Sequence, residues 1–418
     1  MKRAIVAMGG GPTRVINRSL YGVVDEATRN GIDVIGARHG FSGFLKEQFL
    51  PLTPTSAPVA LLKDLPGAMI GSTRMKPKAD DCAKAFDIFK KNGINYLFYI
   101  GGNDTAEATS IINREAKTAG YELRCFHVPK TIDNDLVEND HCPGYGSAAR
   151  YVAQAILGDD MDVRSLPGIK VDIIMGRHAG WLVAASALCR RAEEDGPHLV
   201  YFPERAKSMA DIIGDILKVY EKYGRCQVAI SEGILGPDDV DFISSPFVRG
   251  ELEKAPYTPL MGMIDTLGKV EEASGGAKKD TFGHIQLSGT GTLADVFAAA
   301  VKIATFKATG KAARCRADTF GYLQRCYAGD ASPVDVKEAE LVGRKAVQFA
   351  VKKDADGSVA LKADREGGKY RAKPVMVALE AVAGKERFLP SEFINAEGNG
   401  VTPAFVEYAR PLVGPLPR

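Results

Sequence analysis

Cysteine and histidine, the usual builders of cross-links and metal cages, are sparse and unpaired in this sequence. Seven cysteines (82, 125, 142, 189, 226, 315 and 326) stand singly, with no CxxC pair and no even set. That pattern argues against a disulfide framework or a structural zinc site, and for reduced thiols in a cytoplasmic protein. The six histidines show no metal-ligand spacing either. No apolar run approaches the roughly 20 residues of a membrane span, and the opening MKRAIVAMGGG is too short and glycine-interrupted to be expected as a secretory signal. A surplus of charge is missing as well. With a formal net charge of +2, the chain gives no reason to expect a nucleic-acid or membrane partner.

What is present is an ordinary globular composition, 45% hydrophobic and 25% charged over 418 residues, enough for two or three packed domains. The 44 glycines suit an α/β protein with many tight strand-to-helix turns. Short β-branched or aromatic runs at 3–8, 32–37, 96–100, 124–128, 170–175, 198–202 and 227–231 predict strands. Helical periodicity at 15–28, 81–91, 105–119, 147–158, 181–191 and 206–223 predicts the intervening helices. This alternation predicts parallel sheets with helices on both faces. No low-complexity linker divides the chain, so its domains are expected to share strands, with a softer boundary at HCPGYG, residues 141–146. Residues 352–373, charged and glycine-bearing, read as an exposed excursion. DTFGHIQ (280–286) recurs as DTFGYLQ (318–324), a pair that reads as duplicated strand-and-turn units of which one copy faces a ligand.

The chemistry concentrates where turns follow strands. VPKTIDNDL, residues 128–136, sets Lys130 and Thr131 beside Asp133 and Asp135 just past an apolar run. In an open α/β sheet that is where residues meet a ligand. A carboxylate, a hydroxyl and an ammonium together suit phosphoryl transfer; a solvated polar turn is the alternative. MGGGPTRVIN (8–17) joins glycines to a helix start, so that backbone N–H groups and the helix dipole can meet an anion. It is neither a Walker loop nor a GxGxxG fingerprint, and a tight turn without a ligand is the alternative. In YIGGNDT (99–105), Asn103 and Asp104 are expected at a strand end with Thr105 as N-cap of the next helix. Their oxygens suit Mg²⁺, or simply good turn chemistry. IMGRHAGWL (174–182) offers Arg177 as a fork for phosphate or sugar oxygens, or as a surface ion-pair partner. SEG (231–233) offers Glu232 as an acceptor for sugar hydroxyls. Arg316, Tyr322 and Arg325 make either a phosphate-monoester pocket or a structural arginine cluster.

Taken in order, GGNDT, PKTIDND, MGR, SEG and GYLQR resemble the phosphofructokinase family, specifically its pyrophosphate-dependent branch, over Gly10 to at least Val342. The resemblance implies two doubly wound α/β domains with the active site in the cleft between them. It implies a donor domain of residues 1–143 with roughly 324–375, and a sugar-phosphate domain of 144–323 with roughly 376–418. The implied reaction moves phosphate reversibly from pyrophosphate to the 1-hydroxyl of fructose 6-phosphate, with Mg²⁺. Matched by position, Asp133 is the general base and Thr131 lies near the reacting oxygen. Met175, Gly176, Arg177 and Glu232 match the sugar site, and Arg316, Tyr322 and Arg325 the pocket for the 6-phosphate. Gly11 and Arg74 match donor contacts, and Asn103 with Asp104 the metal position, where Asn103 replaces an aspartate of many relatives. ATP-using relatives carry glycine at Asp104 and Lys130. An aspartate there repels a nucleotide α-phosphate by roughly 1–4 kcal/mol at about 4 Å, while the lysine stabilises a small dense anion. Both changes imply pyrophosphate. A homodimer or homotetramer is implied too, with Lys170 or Arg164 as candidates to complete a neighbour's sugar site. An ATP-dependent sugar-phosphate kinase, a non-catalytic sugar-phosphate-binding subunit and use of sedoheptulose 7-phosphate stay open on the sequence.

Overall fold

Alternation along the first strand decides the layout of the first half of the chain. Ala4, Val6 and Met8 enter one core and Ile5 and Ala7 enter another, so the strand is buried on both faces and lies inside a sheet. The computed structural model describes residues 2–53, 57–273, 291–365 and 370–417. In chain order the strands are β1 (Arg3–Met8), β2 (Asp33–Ala37), β3 (Phe49–Leu52), β4 (Ile94–Gly101), β5 (Arg124–Pro129), β6 (Ile169–Ile174), β7 (Leu199–Tyr201), β8 (Cys226–Ser231), β9 (Cys315–Thr319), β10 (Gly357–Asp364) and β11 (Arg371–Val377). The helices that bear on the site are α1 (Ile16–Arg29), α2 (Ala79–Lys91), α3 (Asn103–Thr118), α4 (Trp181–Ala185), α5 (Met209–Tyr223), α6 (Thr292–Thr309) and α7 (Pro333–Lys352).

Two α/β units result. The first comprises Met1–Ala148, Arg325–Arg387 and Pro411–Gly414. Its sheet runs β11-β10-β5-β4-β1-β2-β3, with β10, β5, β4, β1 and β2 parallel and the two edge strands antiparallel to their neighbours. Helices α1 and α7 cover one face through Leu20, Val23, Val342 and Val347, while α2 and α3 cover the other through Phe86, Phe89, Ala108 and Ile112. The second unit comprises Ala149–Gln324, Phe388–Arg410 and Pro415–Arg418. Its parallel sheet runs β7-β8-β6-β9 and carries a core to which α5 and α6 contribute Ile212, Ile216, Phe297 and Val301. Among the described residues no helix is long and apolar enough to cross a membrane.

Several sequence expectations change. The described part of 352–373 is not an exposed excursion: β10 pairs with β5 and β11, and Val359, Ala360 and Leu361 are fully buried. Its charges fall on the outward positions and ends of a hairpin, which hid the inward alternation. The helix expected at 181–191 is a short one, α4, continued by a 3₁₀ turn at Ser186–Cys189. Thr105 is not an N-cap. Helix α3 starts at Asn103 with Gly102 at the cap position, so Thr105 lies in its first turn and is buried. The first DTFGHIQ copy lies outside the described residues; the second spans the end of β9 and the turn after it.

Candidate active site

In the first unit, β1, β4 and β5 are neighbours, and the turns after all three carry the sequence-predicted donor residues. Their packing explains the glycines. A Cβ on Gly9 or Gly101 would lie 2.3 or 2.1 Å from Thr105 Oγ1, so the buried threonine of α3 occupies the space a side chain would need. Gly10 takes φ +74°, in the left-handed region that glycine adopts without penalty. Its N–H donates to Thr73 O at 2.9 Å, and Ser72 Oγ donates to its carbonyl at 2.6 Å, which stitches the GSTR segment to the glycine turn. Arg74 follows directly and is exposed.

Lys130 is the centre of this turn. Its buried ammonium donates to Gly9 O at 2.9 Å and to Gly11 O at 2.6 Å. Burial lowers its pKa to about 8, Arg325 and Arg74 push the same way, and Asp133 and Asp135 oppose them. Beyond burial, the charges acting here are Arg325, Arg74 and two carboxylates, and with Lys130 itself the three cations suit an anion. Arg325, grouped with Arg316 and Tyr322 in the sequence, stands beside this turn. It lies in the first unit, where a Cβ on Gly11 would stand 3.2 Å from its guanidinium.

Asn103 and Asp135 form a pair that the sequence reading did not join. Asn103 Nδ2 donates to Asp135 Oδ2 at 2.7 Å, which fixes the amide orientation and leaves Asn103 Oδ1 as the other end. Asn103 Oδ1 and Asp135 Oδ1 are both buried and take no hydrogen bond among the described residues. Burial pushes the Asp135 carboxyl up, and the charges of Asp133 and Glu386 add to this. An amide oxygen and a carboxylate oxygen without donors suit a hard divalent cation. Asp104 stands exposed in the same helical turn as Asn103. Asp135 was visible as a carboxylate of PKTIDND, but nothing in the sequence ties it to a residue 32 positions earlier. Asp133 is half-buried, and its N–H donates to Thr131 Oγ1 at 3.0 Å. That bond belongs to a turn pinned by Lys130 N–H to Gly101 O (2.9 Å) and Thr131 N–H to Pro143 O (3.1 Å).

In the second unit, β6 and β8 are adjacent and parallel, so Met175–Arg177 and Ser231–Gly233 emerge side by side. Glu232 N–H donates to Ile174 O at 2.8 Å, and Ser231 Oγ donates to Gly176 O at 2.7 Å. Gly176 takes φ +132°, and a Cβ on Gly233 would fall 1.8 Å from Arg177 O. The two turns therefore brace each other through positions where only glycine fits. Buried Met175 donates its N–H to Gln324 Oε1 at 3.2 Å. Arg177 lines a pocket of about 480 Å³ together with His178, Glu204 and Phe388. Arg316 and Tyr322 are exposed, at β9 and in the turn after it. Lys170 is buried against Asp159 (3.0 Å), Asp172 (3.0 Å) and Asp318 (2.5 Å), and Arg164 pairs with Asp160 (2.8 Å) and Asp195 (2.5 Å).

Comparison with known proteins gives a consistent picture. The family model described as Phosphofructokinase matches residues 3–350. The pyrophosphate–fructose 6-phosphate 1-phosphotransferase of Rhodospirillum rubrum is 43% identical over 415 residues, which is 99% of this chain and 94% of that protein. The enzyme of the same name from Xanthomonas campestris is 34% identical over 419 residues, 98% of this chain and 91% of its own. The solved pyrophosphate-dependent phosphofructokinase of Marinobacter aquaeolei superposes with a TM-score of 0.79 at 28% identity, covering 100% of this chain and 93% of that one.

Proposed function

The chain belongs to the phosphofructokinase family, and from that premise we propose that it transfers a phosphoryl group reversibly between pyrophosphate and the 1-hydroxyl of fructose 6-phosphate. The observation that carries the donor assignment is Lys130, an ammonium buried between the carbonyls of Gly9 and Gly11 with Arg325 and Arg74 close enough to lower its pKa. Positive charge concentrated in so small a volume suits a compact polyanion that has no adenosine to bind.

Asp133 takes the proton from the attacking sugar hydroxyl, and Thr131 holds it in place through the turn they share. Lys130, Arg74 and the N–H groups of the glycine turn stabilise charge on the group in transit, and Asp104 disfavours a nucleotide donor. We give Arg325 to the phosphate being transferred, because it stands beside Gly11 rather than in the second unit. Arg177 and Glu232, with Met175 and Gly176, hold the sugar, and Arg316 and Tyr322 hold its 6-phosphate. Phosphotransferases of this family generally need a divalent metal, here assigned as Mg²⁺. Asn103 and Asp135 supply oxygens for it with Asp104 in the same turn, and when bound it neutralises charge on the pyrophosphate.

The test is the initial rate of fructose 1,6-bisphosphate formation with Mg²⁺ and either pyrophosphate or ATP as sole donor. Turnover with pyrophosphate alone is expected. Turnover with ATP alone would overturn the donor assignment, and none with either would overturn the activity.

A further inference from the structure

The sugar pocket contains a carboxylate that the reaction does not use. Glu204 follows β7, and its Oε1 accepts from the N–H of Gly180 and from the N–H of Leu389, each at 2.8 Å. Gly180 ends the turn that carries Arg177 and His178, and Leu389 follows Phe388; all three of these side chains line the same pocket as Glu204. One oxygen thus ties two segments that lie about 200 positions apart in sequence. The other oxygen, Oε2, is buried and takes no hydrogen bond among the described residues. It lies against the Gly180 backbone so closely that a Cβ there would stand 2.7 Å from it. Burial raises the pKa of Glu204, and the two N–H donors partly offset this.

We propose that Glu204 is a positioning residue for sugar-phosphate binding: it clamps the Arg177 turn to the Phe388–Leu389 segment and so fixes the width of the pocket between them. This rests on the functional reading given above for that pocket. The geometry favours a clamp over a ligand. Oε1 already holds two donors, and Oε2 is sealed against Gly180, so neither oxygen presents itself to a sugar hydroxyl. The other two braces of the turn, Ser231 Oγ on Gly176 and the bare Cα of Gly233 under Arg177, act at its start. Glu204 is the brace at its end.

The experiment measures KM for fructose 6-phosphate, KM for pyrophosphate, kcat and thermal midpoint in wild type, Glu204→Ala, Glu204→Gln and Gly180→Ala. Glu204→Ala removes the clamp. Gly180→Ala sets a methyl against Glu204 Oε2, and 3.0 Å from Phe202, while leaving the carboxylate in the sequence. Both should raise KM for the sugar phosphate about tenfold or more, as loosened positioning does, with the pyrophosphate KM and kcat changed by less than about threefold. Glu204→Gln keeps an oxygen for both N–H donors but buries an NH₂ without an acceptor, which lowers stability. Its thermal midpoint should therefore fall while its sugar KM stays near wild type, a split that a purely structural role does not produce. An unchanged sugar KM in Glu204→Ala, or an equal rise in both KM values, would overturn the proposal. Wild-type protein that neither binds nor turns over fructose 6-phosphate would overturn the functional reading itself, and the clamp's assignment to a sugar with it; that outcome is read without any variant.

Discussion

Lys130 and Asp133 sit three residues apart in one turn, yet they are expected to fail differently when replaced. In the role proposed for it Lys130 stabilises the phosphoryl group as a cation, so Lys130→Met should lower kcat by about 10²–10³, the range for losing one preorganised electrostatic donor. Because its pKa is lowered to about 8, wild-type kcat/KM for pyrophosphate should fall as pH rises past that value. The fall should vanish in Lys130→Met, which has no ammonium to lose; a pH–rate profile of both proteins decides it. Asp133→Ser instead removes the proposed base and should lower kcat by about 10²–10⁴. Calorimetric titration should still detect fructose 6-phosphate binding to that variant. Near-normal turnover in Asp133→Ser would remove the base assignment. At this scale the sequence was informative about single residues and poor about pairs. Lys130, Asp133 and Arg177 announce themselves through residue type beside a turn. The Asn103–Asp135 bond, the place of Arg325 beside Gly11 and the Glu204 clamp all depend on segments brought together from far apart in the chain.

Among the elements, α1 and α7 show how a bare Cα sets an interhelical distance. A Cβ on Gly22 would lie 2.2 Å from Glu340 O, and one on Gly343 would lie 2.2 Å from Ser19 O. The obstacles are backbone carbonyls, which no rotamer change can move. Alanine in mid-helix is favoured over glycine by roughly 1 kcal/mol, but here overpacking should outweigh that gain and leave Gly22→Ala or Gly343→Ala destabilised by about 1–3 kcal/mol. Gly214, inside α5, has nothing within 4 Å of the same added atom. Gly214→Ala should then be neutral or stabilising by up to about 1 kcal/mol. Urea denaturation of the three variants tests the pair of signs, and destabilisation by Gly214→Ala of the same size would refute the packing explanation. The strands that follow hydrophobic runs, such as β1, β4 and β5, were legible because burial on both faces leaves an unbroken apolar signal. The β10–β11 hairpin was not. Gly357 and Ser358 pair with Phe126 and His127, more than two hundred residues earlier, and no local pattern records that pairing.

For the molecule as a whole, three histidines make stability depend on pH on both sides of 6.5. Burial opposes charge on His141, but hydrogen bonds to Asp140 (2.9 Å) and Glu338 (2.5 Å) outweigh it and raise the pKa to about 9. A raised histidine stabilises the fold fully below its unfolded value near 6.5, and that contribution is lost as pH rises through 9. At about 1.4 kcal/mol per pK unit, it is on the order of 3 kcal/mol. His127 behaves in the opposite sense. Burial lowers it to about 4, while its ring nitrogens meet Ser358 Oγ at 2.8 Å and Gly101 O at 2.9 Å. His198, lowered to about 4 by burial and by Arg225, acts in the same direction. Depressed groups stabilise above their unfolded value and lose that contribution as pH falls through 4. Asp140 extends the acid limb: burial opposes its charge, but His141 and Arg365 hold its pKa down to about 2, so its share is lost below the ordinary carboxylate range. Asp135 and Asp172, pushed up by burial, oppose the acid limb, and Lys130, lowered to about 8, opposes the alkaline one, so the histidine shares are read as differences between the thermal midpoints of wild type and variant from pH 4 to 10. Replacing His141 by Gln should remove the loss of stability between about pH 6.5 and 9 and leave the histidine share of the acid limb, since His127 and His198 are untouched, while Asp140 loses one of the groups that hold it down. A Gln variant that is less stable at every pH but keeps the wild-type alkaline slope would show that the Asp140–His141–Glu338 network does not carry the charge assigned to it.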